Sequence, residues 1–321
     1  MPRVESGVCL AHFVPRQLNT IIGDVTVATN HRNFRELLEA QWARNNFVCV
    51  GLDSQLDKIP ESSRIRFSPE GPIDVLNTIL AFNRAIVEAT GDLVCAYKPN
   101  AAFYEPHGVN GINALQRTIA LIHDMAPNVP VIYDAKRGDI GNSNLGYIDA
   151  AFRSMNADAI TVHPYLGAES LQPFLALADK GIFVLCRTSN PGAGEFQDLD
   201  VCGDVVPGNY MPFYKYVAHR VSQHWNSHLN CGLVVGATYP NELREVRMLV
   251  GDTMPILLPG IGKQGADVKK SVTAGKDSRG AGIIVNSARD IIFASNDANF
   301  AEAARSATFK LRDQINQSLS K

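Results

Sequence analysis

The sequence lacks any block of like charge: 30 Lys and Arg against 32 Asp and Glu leave a formal net charge of −2. That gives no global pull toward nucleic acid or an anionic membrane, so any anion-binding site must be local. No apolar run approaches the roughly 20 residues a membrane span needs. The first thirty residues lack the cationic start and apolar centre of a signal peptide. The six cysteines (Cys9, Cys49, Cys95, Cys186, Cys202, Cys231) are scattered, with no CxxC and no Cys/His metal spacing. They imply neither a disulfide framework nor a metal site, which fits a reducing, cytoplasmic setting. Cys49, Cys95 and Cys186 lie inside apolar runs and read as small core residues.

What is present is a large apolar fraction, 45%, in a repeating pattern. Eight short apolar, β-branched runs occur at 47–53, 93–99, 129–136, 157–163, 181–188, 231–238, 254–260 and 280–287. Each reads as a strand buried on both faces. Helical spacing fills 73–91, 110–125, 142–155, 167–179, 211–225, 240–250, 265–274 and 298–317. Eight such units predict an α/β fold, a (β/α)8 TIM barrel. An open doubly wound sheet is the alternative, but no GxGxxG turn opens the first helix. Residues 1–34 have weak periodicity and are expected to form an N-terminal extension, leaving 35–321 as the barrel domain. A helix over 33–45, capped by Asn33, is expected to lead into the first strand. Residues 190–210, rich in Gly, Pro and Asp, are expected to form a long loop after strand five, a candidate lid.

The most informative segment is YDAKRGDIGNS, residues 133–143. Asp134 and Lys136 are two apart on a strand and so share a face, at the strand end where a barrel keeps its catalytic mouth. Asp139 follows on the turn. Asp53 ends strand one and Lys98 ends strand two, so the mouth is expected to collect three aspartates and two lysines. A plain alternative is a solvated ion pair at a strand end. His163 is the one histidine at a strand end and reads as a hydrogen-bonded residue before Pro164. After strands seven and eight come LPGIGKQGAD (258–267) and VNSARD (285–290). Gly260, Gly262 and Gly265 would let backbone amides approach an anion, with a helix N-terminus following. Arg289 offers a fork of donors suited to phosphate, and Gln264 could span a phosphate and a base. The plain alternative is turn glycines and a surface arginine.

From about residue 34 to 317 the chain resembles orotidine 5'-monophosphate decarboxylase, in the longer microbial branch of that family. The resemblance is carried by CVGLD (49–53), AYKPNAAFYEPHG (96–108), DAKRGDIGNS (134–143), ADAITVHPYLG (157–167), RTSNPGAGE (187–195), LVVGATYPNEL (233–243), LPGIGKQGAD (258–267) and IIVNSAR (283–289). The DxKxxD pattern alone is shared with a wider group of phosphosugar barrels; Lys98 and the SNPG after strand five make the match specific. The resemblance implies that Lys136 donates a proton to C6 of the pyrimidine and that Asp134 lies beside the substrate carboxylate. It implies that Asp139 reaches into a neighbouring subunit's site and that Lys98 and Asp53 bind the ribose. Ser189 would contact the pyrimidine amide, and Gln264 and Arg289 the phosphate. It further implies a homodimer with shared sites, orotidine and uridine 5'-monophosphates as ligands, and a pyrimidine-biosynthetic reaction without a cofactor. Ser143 stands where the family commonly has threonine and keeps the hydroxyl expected near the ribose. Asn190 stands where some relatives have histidine.

Two other functions compete. One is a metal-dependent phosphosugar aldolase or decarboxylase on the same barrel, which the cationic Lys98 disfavours. The other is a non-catalytic nucleotide-binding barrel, which would have no need of all five charged residues.

Overall fold

Residues 32–202, 210–262 and 266–320 are described in a computed structural model of the chain. The expected extension over 1–34 therefore lies outside the described residues except for its last three. Those three join the barrel body: Arg32 pairs with Asp158 at 2.8 Å, Asn33 caps the first helix, and Phe34 is buried.

Eight parallel strands form one sheet. They are β1 (Val48–Leu52), β2 (Val94–Pro99), β3 (Ile132–Arg137), β4 (Ala159–Val162), β5 (Gly181–Arg187), β6 (Cys231–Val235), β7 (Ile256–Leu258) and β8 (Ile283–Ser287). Neighbours run β2-β1-β8-β7-β6-β5-β4-β3, so the first strand pairs with both the second and the last. The remaining seam, β2 against β3, is closed by parallel bridges at Tyr97–Val131 and Asn100–Asp134. An open sheet in this order would leave β2 and β3 as edges; here the two bridges complete the circuit, as the eight β-branched runs predict. Every residue of β1, β2, β6, β7 and β8 is buried. That is why these strands read as unbroken apolar runs rather than alternating ones.

Helices cover the outside, at Val75–Thr90, Gly108–Met125, Gly167–Leu175, Pro240–Val250, Val268–Gly275 and Phe300–Leu319 among others. Two expected helices, 142–155 and 211–225, form as α-helices that finish in a π-turn, Asp149–Ser154 and Val221–Trp225. The helix Phe34–Trp42 closes the N-terminal end of the barrel. Asn33 accepts from the amides of Arg35 and Glu36, which satisfies two orphan donors of its first turn. Phe34 meets Phe183 edge-on at 5.5 Å, and Trp42 donates to the Ile283 carbonyl at the start of β8. With that end covered, the cavity lined by Asp53, Lys98, Asp134 and Lys136 opens at the C-terminal mouth.

The segment after β5 is more ordered than a long loop. A 3-10 turn (Pro191–Ala193) and a short helix (Gly194–Gln197) lead to an antiparallel ribbon, Asp200–Cys202 against Tyr210–Pro212. Residues 203–209 of the expected lid lie outside the described residues.

Candidate active site

The site begins with an irregularity in β3. Its ladder with β4 pairs Ile132 with Ala159 and Tyr133 with Ile160, then jumps to Arg137 with Val162. Asp134, Ala135 and Lys136 thus face the single residue Thr161. Lys136 takes up the surplus with a φ of +49°, a left-handed conformation that costs a residue with a Cβ roughly 1–2 kcal/mol. Such a conformation persists only where its surroundings over-determine it. Here the Lys136 amide, lost to the ladder, donates to Thr161 Oγ1 at 2.9 Å.

Four of the five predicted charges converge. Lys136 Nζ lies 2.6 Å from Asp134 Oδ1, and Lys98 Nζ lies 2.9 Å from Asp134 Oδ2 and 3.9 Å from Asp53 Oδ1. Thr161 Oγ1 donates to Asp134 Oδ1 at 2.9 Å. Burial by itself would raise the Asp134 carboxyl, but Lys98 and Lys136 overcome it and hold the group far below the usual carboxylate range. Burial would likewise strip Lys98 of its proton, and Asp134 and Asp53 hold it on more firmly than usual. Asp53 differs: burial dominates and raises it, against the pull of Lys98. Its Oδ1 is buried with no hydrogen-bond donor among the described residues. A buried carboxylate oxygen in that state is ready to accept from a ligand hydroxyl.

These groups form one end of a cavity of about 450 Å³. Ser189 and Asn190 line it from the segment after β5, and Gly260, Ile261, Arg289 and Asp290 line it from the turns after β7 and β8. Gly262, just beyond, has a φ of +98°, and a Cβ there would come within 2.0 Å of Asp290 Oδ2; only glycine fits that turn. Gln264 and Gly265 lie outside the described residues. The helix expected to aim its dipole at an anion is Val268–Gly275, and its N-terminus is taken: Asp267 accepts from the Lys270 amide at 3.0 Å. That carboxylate satisfies one of the free amides of the first turn and offsets part of the dipole that the expectation relied on.

Asp139 does not join the cluster in its own chain. Its Oδ1 accepts from the Ile140 amide at 2.7 Å, and it does not line the cavity. The turn carries it away at Gly138, where a Cβ would strike the His163 ring at 2.7–3.0 Å. His163 fixes that turn through Nε2 and the Gly138 carbonyl, 3.1 Å apart, as its reading as a hydrogen-bonded residue anticipates. Ser143 is also exposed and outside the cavity.

The family model described as Orotidine 5'-phosphate decarboxylase / HUMPS matches residues 47–304. An orotidine 5'-phosphate decarboxylase of Cellvibrio japonicus is 46% identical over 88% of this chain and 98% of its own. The chain belongs to the orotidine 5'-phosphate decarboxylase family. A second relative with that name, from Thermomicrobium roseum, is 49% identical over 88% of this chain and 95% of its own. The solved OMP decarboxylase of Leishmania donovani superposes with a TM-score of 0.73 at 35% identity, covering 90% of this chain and 99% of that one.

Thr161, Asn100 and Asn286 are among the residues of this family member's cavity that the sequence reading did not single out. Thr161 sits two residues before His163, on the inward face that alternation along β4 assigns it. That alternation was the available signal. Asn286, on β8, is buried with its Oδ1 unpartnered among the described residues.

Proposed function

We propose that this chain converts orotidine 5'-monophosphate to uridine 5'-monophosphate and carbon dioxide, in pyrimidine biosynthesis, with Lys136 as the proton donor to C6. The observation that carries the proposal is the unbroken line Lys98–Asp134–Lys136 in a cavity that Gly260 and Arg289 also line. Breaking the C6–carboxylate bond leaves its electron pair on a vinyl carbon with no conjugated sink. A fixed ammonium at that carbon stabilises the charge as it develops. The Lys136 proton then bonds to C6, and the amine regains a proton from solvent.

One ammonium does not suffice. At ~3 Å and an effective dielectric of ~20, a charge pair interacts by roughly 5 kcal/mol, whereas very slow reactions can need ~20 kcal/mol of barrier reduction. The remainder is assigned to binding energy from the distant phosphate, spent on orientation and desolvation at C6. Arg289, Gln264 and the Gly262 turn are the proposed phosphate contacts. Asp53, with its unpartnered oxygen, and Lys98 take the ribose hydroxyls, and Ser189 takes the pyrimidine amide. Asp134 stays ionised between the two lysines and lies beside the leaving carboxylate.

The chemistry is assigned to these side chains, with no cofactor. A divalent cation bridging Asp53 and Asp134 would have to sit against the Lys98 ammonium, which lies 2.9 Å from Asp134. The proposal includes a cytoplasmic homodimer. Exposed apolar side chains flank Asp139, with Ile140 63% and Tyr165 82% exposed. A patch of that kind marks a contact surface, from which Asp139 and Ser143 would enter the partner's site.

The test is direct. The ultraviolet band of orotidine 5'-monophosphate should give way to that of uridine 5'-monophosphate with the purified chain, with or without a chelator. Lys136→Ala should show no measurable turnover while still binding uridine 5'-monophosphate. Wild-type-like turnover in that variant would refute the proton-donor role, and chelator-sensitive turnover would favour the metal-dependent reading.

A further inference from the structure

We infer that Thr161 is a positioning residue for the decarboxylation, its hydroxyl locking the β3 bulge that presents Lys136 and Asp134 together. The inference rests on the function proposed above. Four observations carry it. The β3–β4 ladder skips from Tyr133 to Arg137, and Thr161 is the one β4 residue opposite the gap. Lys136 stands in the left-handed region at φ +49°. The Thr161 hydroxyl accepts from the Lys136 amide at 2.9 Å and donates to Asp134 Oδ1, also at 2.9 Å. That Oδ1 is the oxygen 2.6 Å from Lys136 Nζ.

The directions follow from donor chemistry. The Lys136 amide can only donate, so the Thr161 oxygen accepts there, and its single proton is left for the carboxylate. An acceptor at Asp134 must therefore be unprotonated on the side facing Lys136. One buried hydroxyl, 1% exposed, thereby fixes the backbone of Lys136, the rotamer of Asp134 and the charge on the oxygen between them. The charged groups around Asp134 are Lys98 from β2, Lys136 from its own strand and, beyond Lys98, Asp53 from β1. Thr161 is the neutral member of this shell. It touches both partners of the reacting pair, and its expected effect is exerted through them.

Thr161→Val preserves shape and removes both hydrogen bonds; Thr161→Ser preserves both. Losing a hydrogen bond to a charged group should lower kcat by about 10- to 100-fold in Thr161→Val. KM and the affinity for uridine 5'-monophosphate should stay within about threefold, because the proposed phosphate, ribose and pyrimidine contacts are Arg289, Gln264, Asp53, Lys98 and Ser189, to none of which Thr161 is hydrogen-bonded. Thr161→Ser should restore kcat to within about threefold of wild type. If Val destabilises the barrel, Thr161→Cys replaces it, since a thiol fills the space with far weaker hydrogen bonds; Cys slow and Ser fast supports the inference. Equal kcat in Ser and Val, or in Ser and Cys, overturns it. So does a Val variant in which kcat, kcat/KM and product affinity all worsen together, since that describes a purely structural residue. An inactive wild-type chain would overturn the decarboxylase proposal itself, whereas an active wild type with an unaffected Thr161→Val overturns only the role of Thr161.

Discussion

A buried carboxylate is tolerable only when its charge is answered, and two aspartates here show how differently that is used. Asp134, between two lysines, faces the cavity; Asp158, 1% exposed, holds the opposite end of the barrel together. Asp158 accepts from Arg32 Nε at 2.8 Å, from the Val131 amide at 2.8 Å and from His123 Nε2 at 3.2 Å, joining the starts of β3 and β4 to the segment before the first helix. Burial would raise it, but the bonds from His123 and Arg32 lower it from 3.8 to about 2. A depressed carboxylate contributes stability that is present above its unfolded value and lost as pH falls through the folded one. The contribution, about 2 kcal/mol for a shift of this size, should therefore hold at neutral pH and fade between about pH 4 and 2. Asp158→Asn should lower the unfolding free energy at pH 7 by at least that amount, and the gap from wild type should narrow toward pH 3. Denaturant titrations at pH 7, 5 and 3 check this; a gap that stays constant or widens on acidification would contradict the linkage. The Asp134 contribution has the same sign and cancels in the comparison.

Among the elements, the segment after β5 turns on one arginine. Arg187, at the end of β5, is buried, places Nε and Nη2 at 2.8 and 2.9 Å from the two Asp198 oxygens, and lies over the Tyr239 ring at 4.0 Å. The Thr188 amide donates to Gln197 Oε1 at 2.8 Å. The short helix Gly194–Gln197 is thus latched to the strand that precedes Ser189 and Asn190. Asp198→Ala would leave the Arg187 charge buried and unpaired. The expected result is faster proteolytic cutting between residues 190 and 202 and a fall in kcat/KM of about tenfold, carried mainly by KM. Unchanged cutting and KM would show that the latch does not order this segment. The latch was not legible beforehand, because Gly, Pro and Asp announce turns while saying nothing of long-range partners. The eight strands were legible for the opposite reason: burial on both faces leaves a continuous β-branched run, and their ends moved by only a few residues. The bulge at 134–136 lies between these cases. The spacing of Asp134 and Lys136 put both at the mouth, but neither Gly nor Asn marks the left-handed turn at Lys136. A tertiary hydrogen bond from another strand imposes it. Asp139, expected on the turn after β3 as part of the mouth, stands outside the cavity of its own chain, because the contact between Gly138 and His163 turns the backbone outward.

At the scale of the whole molecule, the proposed homodimer turns on where Asp139 stands. Asp53, Asp134, Lys98 and Lys136 balance to zero within the cavity, and Asp139, the third predicted aspartate, stands outside it. Around Asp139 lie Ile140, Leu145, Tyr165 and Leu166, exposed by 63, 50, 82 and 43%. Apolar side chains of that size at one rim of the mouth favour a self-complementary contact, and a two-fold axis there would carry each Asp139 toward the other subunit's lysines. The consequence is measurable without a structure of the dimer. Asp139→Ala and Lys136→Ala homodimers should each be nearly inactive. In a heterodimer, the site built on the Asp139→Ala subunit keeps its own Lys136 and receives the other subunit's Asp139, while the second site carries both lesions. Random exchange makes half the dimers mixed, each with one intact site, so activity should recover to about a quarter of wild type. Recovery should track the heterodimer fraction measured by native mass spectrometry and vanish on dilution below the dimer dissociation constant. Demonstrated exchange with no recovery would confine Asp139 to its own chain, where its carboxylate does no more than hold the Ile140 amide.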